Sequence, residues 1–582
     1  MKKRNWIFIT ACALLVLGIA CTDEFLDRQP EGQFSEGDVA TADGVEGLLI
    51  GAYNMVPGGG LTGQTWHNDI HSWVFNIASD DALKGTDAGD QPEQSFIEAY
   101  DFQSFNVHIR DKWRGLYKGV AAANNTINTL AGVEAISEAR RAQIIAEARF
   151  LRGLFHFEAR KMWRMPTYID ETNFELNDLE STKVPNDREI WPLIEADFEA
   201  AAAVLPATQS QVGRPTSWAA KAFLAKAKMY QGWPGGTANI SKLTEAKTIL
   251  DDIVNNGPFS LVDKFEDNFL VATRNNSESI FEVQYAINSA SGDVANRGIG
   301  LAHPYTDPWG CCGFYQASQN LVNAFQTSGG LPLLDTFNDS DVSADTNADG
   351  SSVVTTPLDP RIDHSVGRPG ILFKGFKIYQ TDFVRDLNYA GPFFSMKHMA
   401  EPEAFGQGGW QNLSANNYRI MRLDMVYLWL AEAEVELGNL ERARELVNLI
   451  RARASNPDDF VPEATQGTDR NDFTVQEGTP AANYEIAQYS LPWTDAAVAR
   501  KAVRFETRLE FALEGHRLFD LQRWGVSAAV LNAYIASESQ KRSYLLGKTF
   551  TAGKHEFFPI PIEAIDRSVK DGAATLTQDP AY

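Results

Sequence analysis

The sequence predicts a mostly α protein, built from tetratricopeptide-like helical repeats around an irregular, loop-rich stretch with minor β structure. Three observations predict it. The clearest is Met425–Pro457, "MVYLWLAEAEVELGNLERARELVNLIRARASNP". Two amphipathic helical patterns flank Gly438-Asn439 there, and a proline closes a unit of about 34 residues. Small Ala431, Ala433 and Ala443 let the paired helices approach closely. The second is a further pair, "AAKAFLAKAKMYQG" and "LTEAKTILDDIVNNGPF", with "WPGGTANISK" inserted at its turn. The third is a change of texture over residues 257–422, where helical spacing gives way to strand-like runs and a long polar excursion.

The elements follow in order. Met1–Arg4, "MKKR", is basic, and Trp6–Ala20, "WIFITACALLVLGIA", is apolar and ends in small residues. The apolar run is shorter than the about 20 residues that span a bilayer, so residues 1–20 read as a secretory signal peptide. Cys21 follows at once, the arrangement of a bacterial lipoprotein, in which the thiol is acylated and the chain is cut before it. Residues 21–38, acidic and interrupted by Pro30, read as a lipidated tether, and residues 39–582 as the body. Loss of the three basic residues of the leader takes the net charge from −24 to −27. A chain this acidic repels nucleic acid and anionic lipid. The body holds no second long apolar run, so it reads as tethered to the membrane only through its N-terminus.

Within the body, Trp113–Leu130, Ala139–Trp163, Ile190–Leu205, Ser217–Gln231 and Leu243–Asn256 carry apolar residues at helical spacing. Pro166 stops the second and Gly257-Pro258 the last. Repeats of this kind bury their core by stacking, so helical repeats are expected over about 113–256 and 423–457. Residues 257–422 form an irregular insertion, with "PFSLV" and "SIFEVQYAI" alternating like strands. A helical and extended segment, 495–582, closes the chain.

Of four cysteines, Cys12 leaves with the leader and Cys21 carries lipid. Cys311 and Cys312 remain, in an export compartment where disulfides persist, and a bridge between these neighbours is left open. The spacing of a zinc site is absent. His67 and His71 sit one helical turn apart with no third ligand evident. Gly58–Gly60 has no following Lys-Ser/Thr, as a phosphate loop requires. Asp345–Gly350, "DTNADG", matches the first half of a calcium loop, with Asp345, Asn347 and Asp349 as oxygen donors. The closing Glu is replaced by Thr356; Asp339, Asp341 or Asp359 could stand in for it. Structural calcium is thus an expectation, and no cofactor is otherwise required. Glu506, Glu510 and Glu514 fall at i, i+4 and i+8 among arginines, an ion-pair pattern along one helix face rather than the facing carboxylates of glycosidase chemistry.

Several segments together resemble the SusD/RagB family of outer-membrane nutrient-binding lipoproteins. They are Cys21 with "TDEFLDRQPEG", "AEARFLRGLFHFEARKMWRMP", "VGRPTSWAAKAFLAKAKMY", "DMVYLWLAEAEVELGNLERARELVNLIRARA", "VRFETRLEFALEGHRLFDLQRWG", "HEFFPIPIEAIDR" and "LTQDPAY". They run in the family's order over essentially the whole chain, with Asp579 where the family usually has Asn. The resemblance implies a helical superhelix supporting an irregular ligand-binding half. It implies a location on the cell outer membrane, lipid-anchored and surface-exposed, and a partner, a SusC-like TonB-dependent transporter. It implies capture of glycans, or of peptides in some branches, and no enzymatic activity, so no catalytic residue is assigned.

The segment His303–Gln316, "HPYTDPWGCCGFYQ", is too aromatic for an idle loop. Sugar rings present flat C–H faces fringed with hydroxyls, and rigid aromatics beside polar groups match them at low entropic cost. Tyr305, Trp309 and Tyr315 are therefore expected to bind ligand. The family's aromatic arc also draws on the early segment, which here offers Trp66 and Asn68; Trp73 beside "VFNIA" is expected in the core. Trp410 in "GQGGWQN" is a further candidate. The resulting expectation is a surface protein that binds oligo- or polysaccharide and passes it to a transporter. The rivals are a peptide- or glycoprotein-binding relative and a helical glycoside hydrolase.

Overall fold

The structure, a computed structural model, describes residues 39–58, 73–287, 295–296, 298–406, 413–469 and 471–582. The leader, Cys21 and its tether lie outside the described residues, as do Trp66, His67, Asn68, His71 and Trp410.

Helices dominate. Helix α1, Ala42–Tyr53, is capped by Thr41, whose hydroxyl accepts from the Gly44 N–H at 3.0 Å. Helices α2, Val107–Ala131, and α3, Glu138–Met162, start at Asn106 and Ser137 caps of the same kind. They run antiparallel: Arg141 donates to the Leu130 carbonyl at 2.7 Å near the connecting turn, while Gly119 meets Phe155 farther along. A Cβ at Gly119 would lie 2.6 Å from that ring, so the close approach needs glycine. Helices α4, Trp191–Val204, α5, Ser217–Met229, and α6, Ile240–Asn256, continue the stack. Lys228 on α5 joins Glu195 on α4 and Glu245 on α6, at 2.6 and 2.8 Å.

Helices α7, Leu423–Glu436, and α8, Leu440–Ala454, flank the predicted turn, where Gly438 has φ +84°. Helix α6 packs directly on α7, and Lys247 reaches Glu434 at 3.2 Å. The insertion therefore loops out between two helices that touch. Its base is closed by an antiparallel pair, with Tyr418 opposite Val283. "SIFEVQYAI" supplies one of those strands, Ser279–Val283, whereas "PFSLV" forms none: Ser260 instead bonds the Ser277 carbonyl at 3.0 Å, and Phe259 and Leu261 lean on the core. Helices α9, Ala496–Glu510, α10, Arg517–Arg523, and α11, Ser527–Glu538, follow, and the chain then runs on through a short helix, Ile562–Arg567.

The carboxylates of the last segment differ from the expected helix-face pattern. Helix α9 ends at Glu510, Leu513 turns the chain with φ +62°, and Glu514 sits past the helix. Their cationic partners come from distant segments rather than the next turn. Arg361 joins Glu506 at 2.7 Å and Glu510 at 2.9 Å. Arg451 joins Glu506 at 2.8 Å, Arg453 joins Glu510, and Lys397 and Arg422 join Glu514. All these groups are buried. The face that reads as ion pairs along one helix is covered by the insertion, and a buried carboxylate survives only with cations and donors around it. Burial alone would raise the Glu510 carboxyl, but Arg453 and Arg361 hold it well below the ordinary range.

Candidate functional site

The aromatic segment is held against the body by a short antiparallel ladder. Strand β1, Ala82–Gly85, pairs with β2, Phe314–Ala317, in the register Gly85 to Phe314 and Ala82 to Ala317. The Thr86 N–H donates to the Gly313 carbonyl at 2.6 Å, and a Cβ at Gly85, which has φ +81°, would lie 2.4 Å from that oxygen. Gly313 in turn donates to the His303 carbonyl at 2.9 Å and closes the loop between them. Cys311 and Cys312 are joined in a vicinal disulfide within it.

The loop does not present its aromatics as expected. Tyr315 is fully buried; its hydroxyl accepts from the Asn76 amide at 2.9 Å, and its ring lies 5.5 Å from that of Trp73, itself buried as expected. Trp309 is 3% exposed. It anchors a small second core with Phe373, Tyr379, Phe383, Phe394, Met396 and Met399, separate from the main one. Neither residue offers a face to a ligand. The insertion is long enough to need a core of its own and spends Trp309 on it, while Tyr315 ties the segment into the main core.

Tyr305 is different. It is 42% exposed, and its N–H anchors it to the Phe383 carbonyl at 2.8 Å. The Arg385 guanidinium lies over its ring, 5.5 Å from the centroid. That guanidinium is fixed from behind: it donates to Asp90 at 2.7 Å and to the Thr86 hydroxyl at 3.1 Å, and meets Asp87 at 2.8 Å. Asp87 is itself fixed, accepting from the Gly89 and Asp90 N–H groups at 2.8 and 2.9 Å. Beneath, the ammonium of Lys84 bonds the Asp87 and Asp90 carbonyls, both at 2.9 Å, and burial pulls its pKa down. Arg385, Asp87 and Asp90 each keep about a third of their side chains in solvent. The result is a flat ring edged by preoriented donors and acceptors, the chemistry a polyhydroxylated ligand requires. Arg385, Asp87 and Asp90 carry no motif and come from segments roughly 300 residues apart, so no signal in the sequence could have gathered them around Tyr305.

The expected calcium donors are not gathered. The Asp349 carboxylate accepts from the Ser351 N–H and hydroxyl at 3.0 and 2.7 Å, and Asp345 accepts from Ser343 at 3.1 Å. The Asn347 amide donates to Ser351 at 3.0 Å. Of the closing candidates, Asp359 turns inward to Arg361 at 2.7 Å and Asp341 pairs with Lys541 at 3.2 Å. The segment is a self-bonded surface turn.

The scaffold is helix-dominated and carries a looped-out insertion with an aromatic-polar face at its edge. Comparison with known proteins gives the family. A model described as "SusD family" matches residues 277–582, and one described as "Starch-binding associating with outer membrane" matches residues 24–229. The chain belongs to the SusD family. It is 28% identical over 349 residues to a SusD-like protein of Bacteroides ovatus, covering 58% of this chain and 60% of that relative's length. It is 23% identical to SusD-like protein P25 of Formosa agariphila, covering 97% of each. Its fold is similar to that of surface glycan-binding protein A from Bacteroides thetaiotaomicron in complex with laminarihexaose, with a TM-score of 0.61, 19% identity, and coverage of 93% of this chain and all of that one. Among the described residues no helix is long and apolar enough to cross a membrane.

Proposed function

We propose that this chain captures an oligo- or polysaccharide on the face formed by Tyr305, Arg385, Asp87 and Asp90, and delivers it to a SusC-like TonB-dependent transporter in the outer membrane. The single observation that carries the reading is the half-exposed Tyr305 ring beside an arginine locked between two aspartates. Such a face is rigid before ligand arrives, so little side-chain entropy is lost on binding. Lipid on Cys21 holds the protein at the cell surface, and Trp66, Asn68 and Trp410, on the reading of the sequence alone, contact the same ligand. Membership of a family that includes glycan binders supports the reading, and laminarihexaose is the first ligand to try. The test is calorimetric titration of the full chain in detergent against neutral glycans, anionic glycans and peptides. Binding of a glycan that is weakened by Tyr305→Ala and Arg385→Ala supports the assignment. Binding of peptides alone, or of a glycan indifferent to both substitutions, overturns it. Mild-detergent affinity purification should recover a β-barrel partner; recovery of the lipoprotein alone argues against delivery.

A further inference from the structure

A cavity sharing no residue with the Tyr305 face opens where α9 meets α10 and α11. It measures about 350 Å³, within the range of small-molecule sites. Its walls are apolar: Leu334, Phe337, Phe505, Leu521, Trp524 and Val530. Its polar groups are nearly all cations. Helix α9 presents Arg500, Lys501, Arg504 and Arg508 to it, and α10 adds Arg517.

Four of these five charges are answered within the protein. Arg500 forks onto the Glu436 carboxylate, and Lys501 meets Asp335. Arg508 meets Asp81 at 2.8 Å and Asp80 at 3.2 Å, and Arg517 forks onto Asp80 at 2.8 and 2.9 Å. Arg504 is the exception. Its guanidinium lies over the Trp524 and Trp233 rings at 4.8 and 5.7 Å, but among the described residues it has neither an ion pair nor a hydrogen bond. A guanidinium carries five N–H donors and no acceptor, and a half-buried one without an acceptor is costly. Burial pulls its pKa down to about 10; Glu432 and Glu436 nearby oppose the fall, and Arg523 and Arg500 add to it. Those carboxylates are bonded to Arg523 and Arg500, so what the Arg504 guanidinium lacks is a bonded acceptor.

The surroundings narrow the acceptor. One guanidinium without a bonded acceptor calls for one anionic acceptor. The apolar walls call for a hydrocarbon body beside it. The chain's net charge of −24 repels polyanions at long range, which favours a small monoanion over a charged polymer. We propose that the cavity is a binding site for an apolar monocarboxylic acid, its carboxylate held by Arg504 in the two-pronged geometry that guanidinium and carboxylate share and its hydrocarbon part against Phe337, Leu521 and Val530.

The probe is 3-phenylpropionate, titrated by calorimetry into the full chain in detergent with a detergent-only blank, alongside the uncharged 3-phenylpropionamide. The expected result is saturable binding of the acid, at least tenfold weaker for the amide and at least tenfold weaker for Arg504→Gln. Val530→Trp, which narrows the cavity without touching a charge, should abolish it. Equal affinity for acid and amide, retention of binding in Arg504→Gln, or no binding of the acid would each overturn the proposal. Should Arg504→Gln fail to fold, the amide comparison and Val530→Trp still decide the matter.

Discussion

The indole of Trp309 meets the ring of Phe373 edge-on, with centroids 5.5 Å apart and planes at 85°. Around that contact Phe376, Phe383 and Phe405 lie within 6.2 Å of the same indole. Trp309 is the keystone of the insertion's own core. Trp309→Ala should therefore destabilise the protein by about 3–5 kcal/mol, the cost of emptying a buried aromatic site. Thermal unfolding measures this; an unchanged melting temperature would mean that the ring is not packed here.

At Tyr305 the balance reverses. Tyr305→Ala should weaken glycan binding by about 1–3 kcal/mol, as expected for a central aromatic contact. Its effect on stability should stay within about 0.5 kcal/mol, the range of surface substitutions. Arg385→Ala should act in the same direction, since it frees Asp87 and Asp90 as well as removing donors. Titration and thermal unfolding on the same preparations separate the two effects.

Glu98 gives the protein a pH dependence. It is buried, one carboxylate oxygen accepts from the Lys84 N–H and the Tyr544 hydroxyl at 2.9 and 2.8 Å, and the other meets no donor. Burial raises its pKa from 4.5 to about 7, against the pull of those two bonds. The folded protein thus keeps a proton that the unfolded chain has already lost. Stability should fall as pH rises from about 4.5 to about 7 and level off above, with a total effect of about 1–3 kcal/mol. Glu98→Gln should flatten that slope and be the more stable protein at pH 8. Denaturant unfolding across pH 5–8 is the check, and a slope that survives the substitution assigns it elsewhere.

Arg361 holds Asp359, Glu506 and Glu510 together, all fully buried. Arg361→Met would leave three carboxylates sharing fewer cations. A loss of about 3–5 kcal/mol is expected, the scale for breaking a buried ion pair by removing one side. Full stability of the variant in urea would show that the network contributes nothing to holding the insertion on the helices.

Anchoring is tested separately. Fatty-acid labelling should mark the wild-type protein and be lost in Cys21→Ala, because several acyl chains on one cysteine hold firmly where one alone would not. Equal labelling of both proteins would rule out Cys21 as the attachment point.

The helices were legible because their signals are local. Gly438 marks one turn, Gly257-Pro258 one end, and alanines at helical spacing mark the close pairs. The site was legible only in part, because burial inside an insertion is not local. Tyr305, Trp309 and Tyr315 lie within eleven residues and look alike in composition, yet one is exposed and two are core. What separates them is the segment around Phe373–Phe383, some seventy residues on, and the strand Ala82–Gly85, more than two hundred residues back. Likewise Glu506 and Glu510 show helical spacing, but nothing near them reveals that Arg361, Arg451 and Arg453 cover them.

The clamps of Arg508 and Arg517 on Asp80 and Asp81 join the first fifth of the chain to its last. Those aspartates immediately precede the strand that carries Asp87 and Asp90 to Tyr305. A polypeptide threaded N-terminus first through an export channel would emerge with that strand long before its arginines. The proposed recognition face would be completed only after nearly the entire polypeptide had crossed. A secretion intermediate would then carry an unfinished face, with no grip on cargo until the final helices arrived.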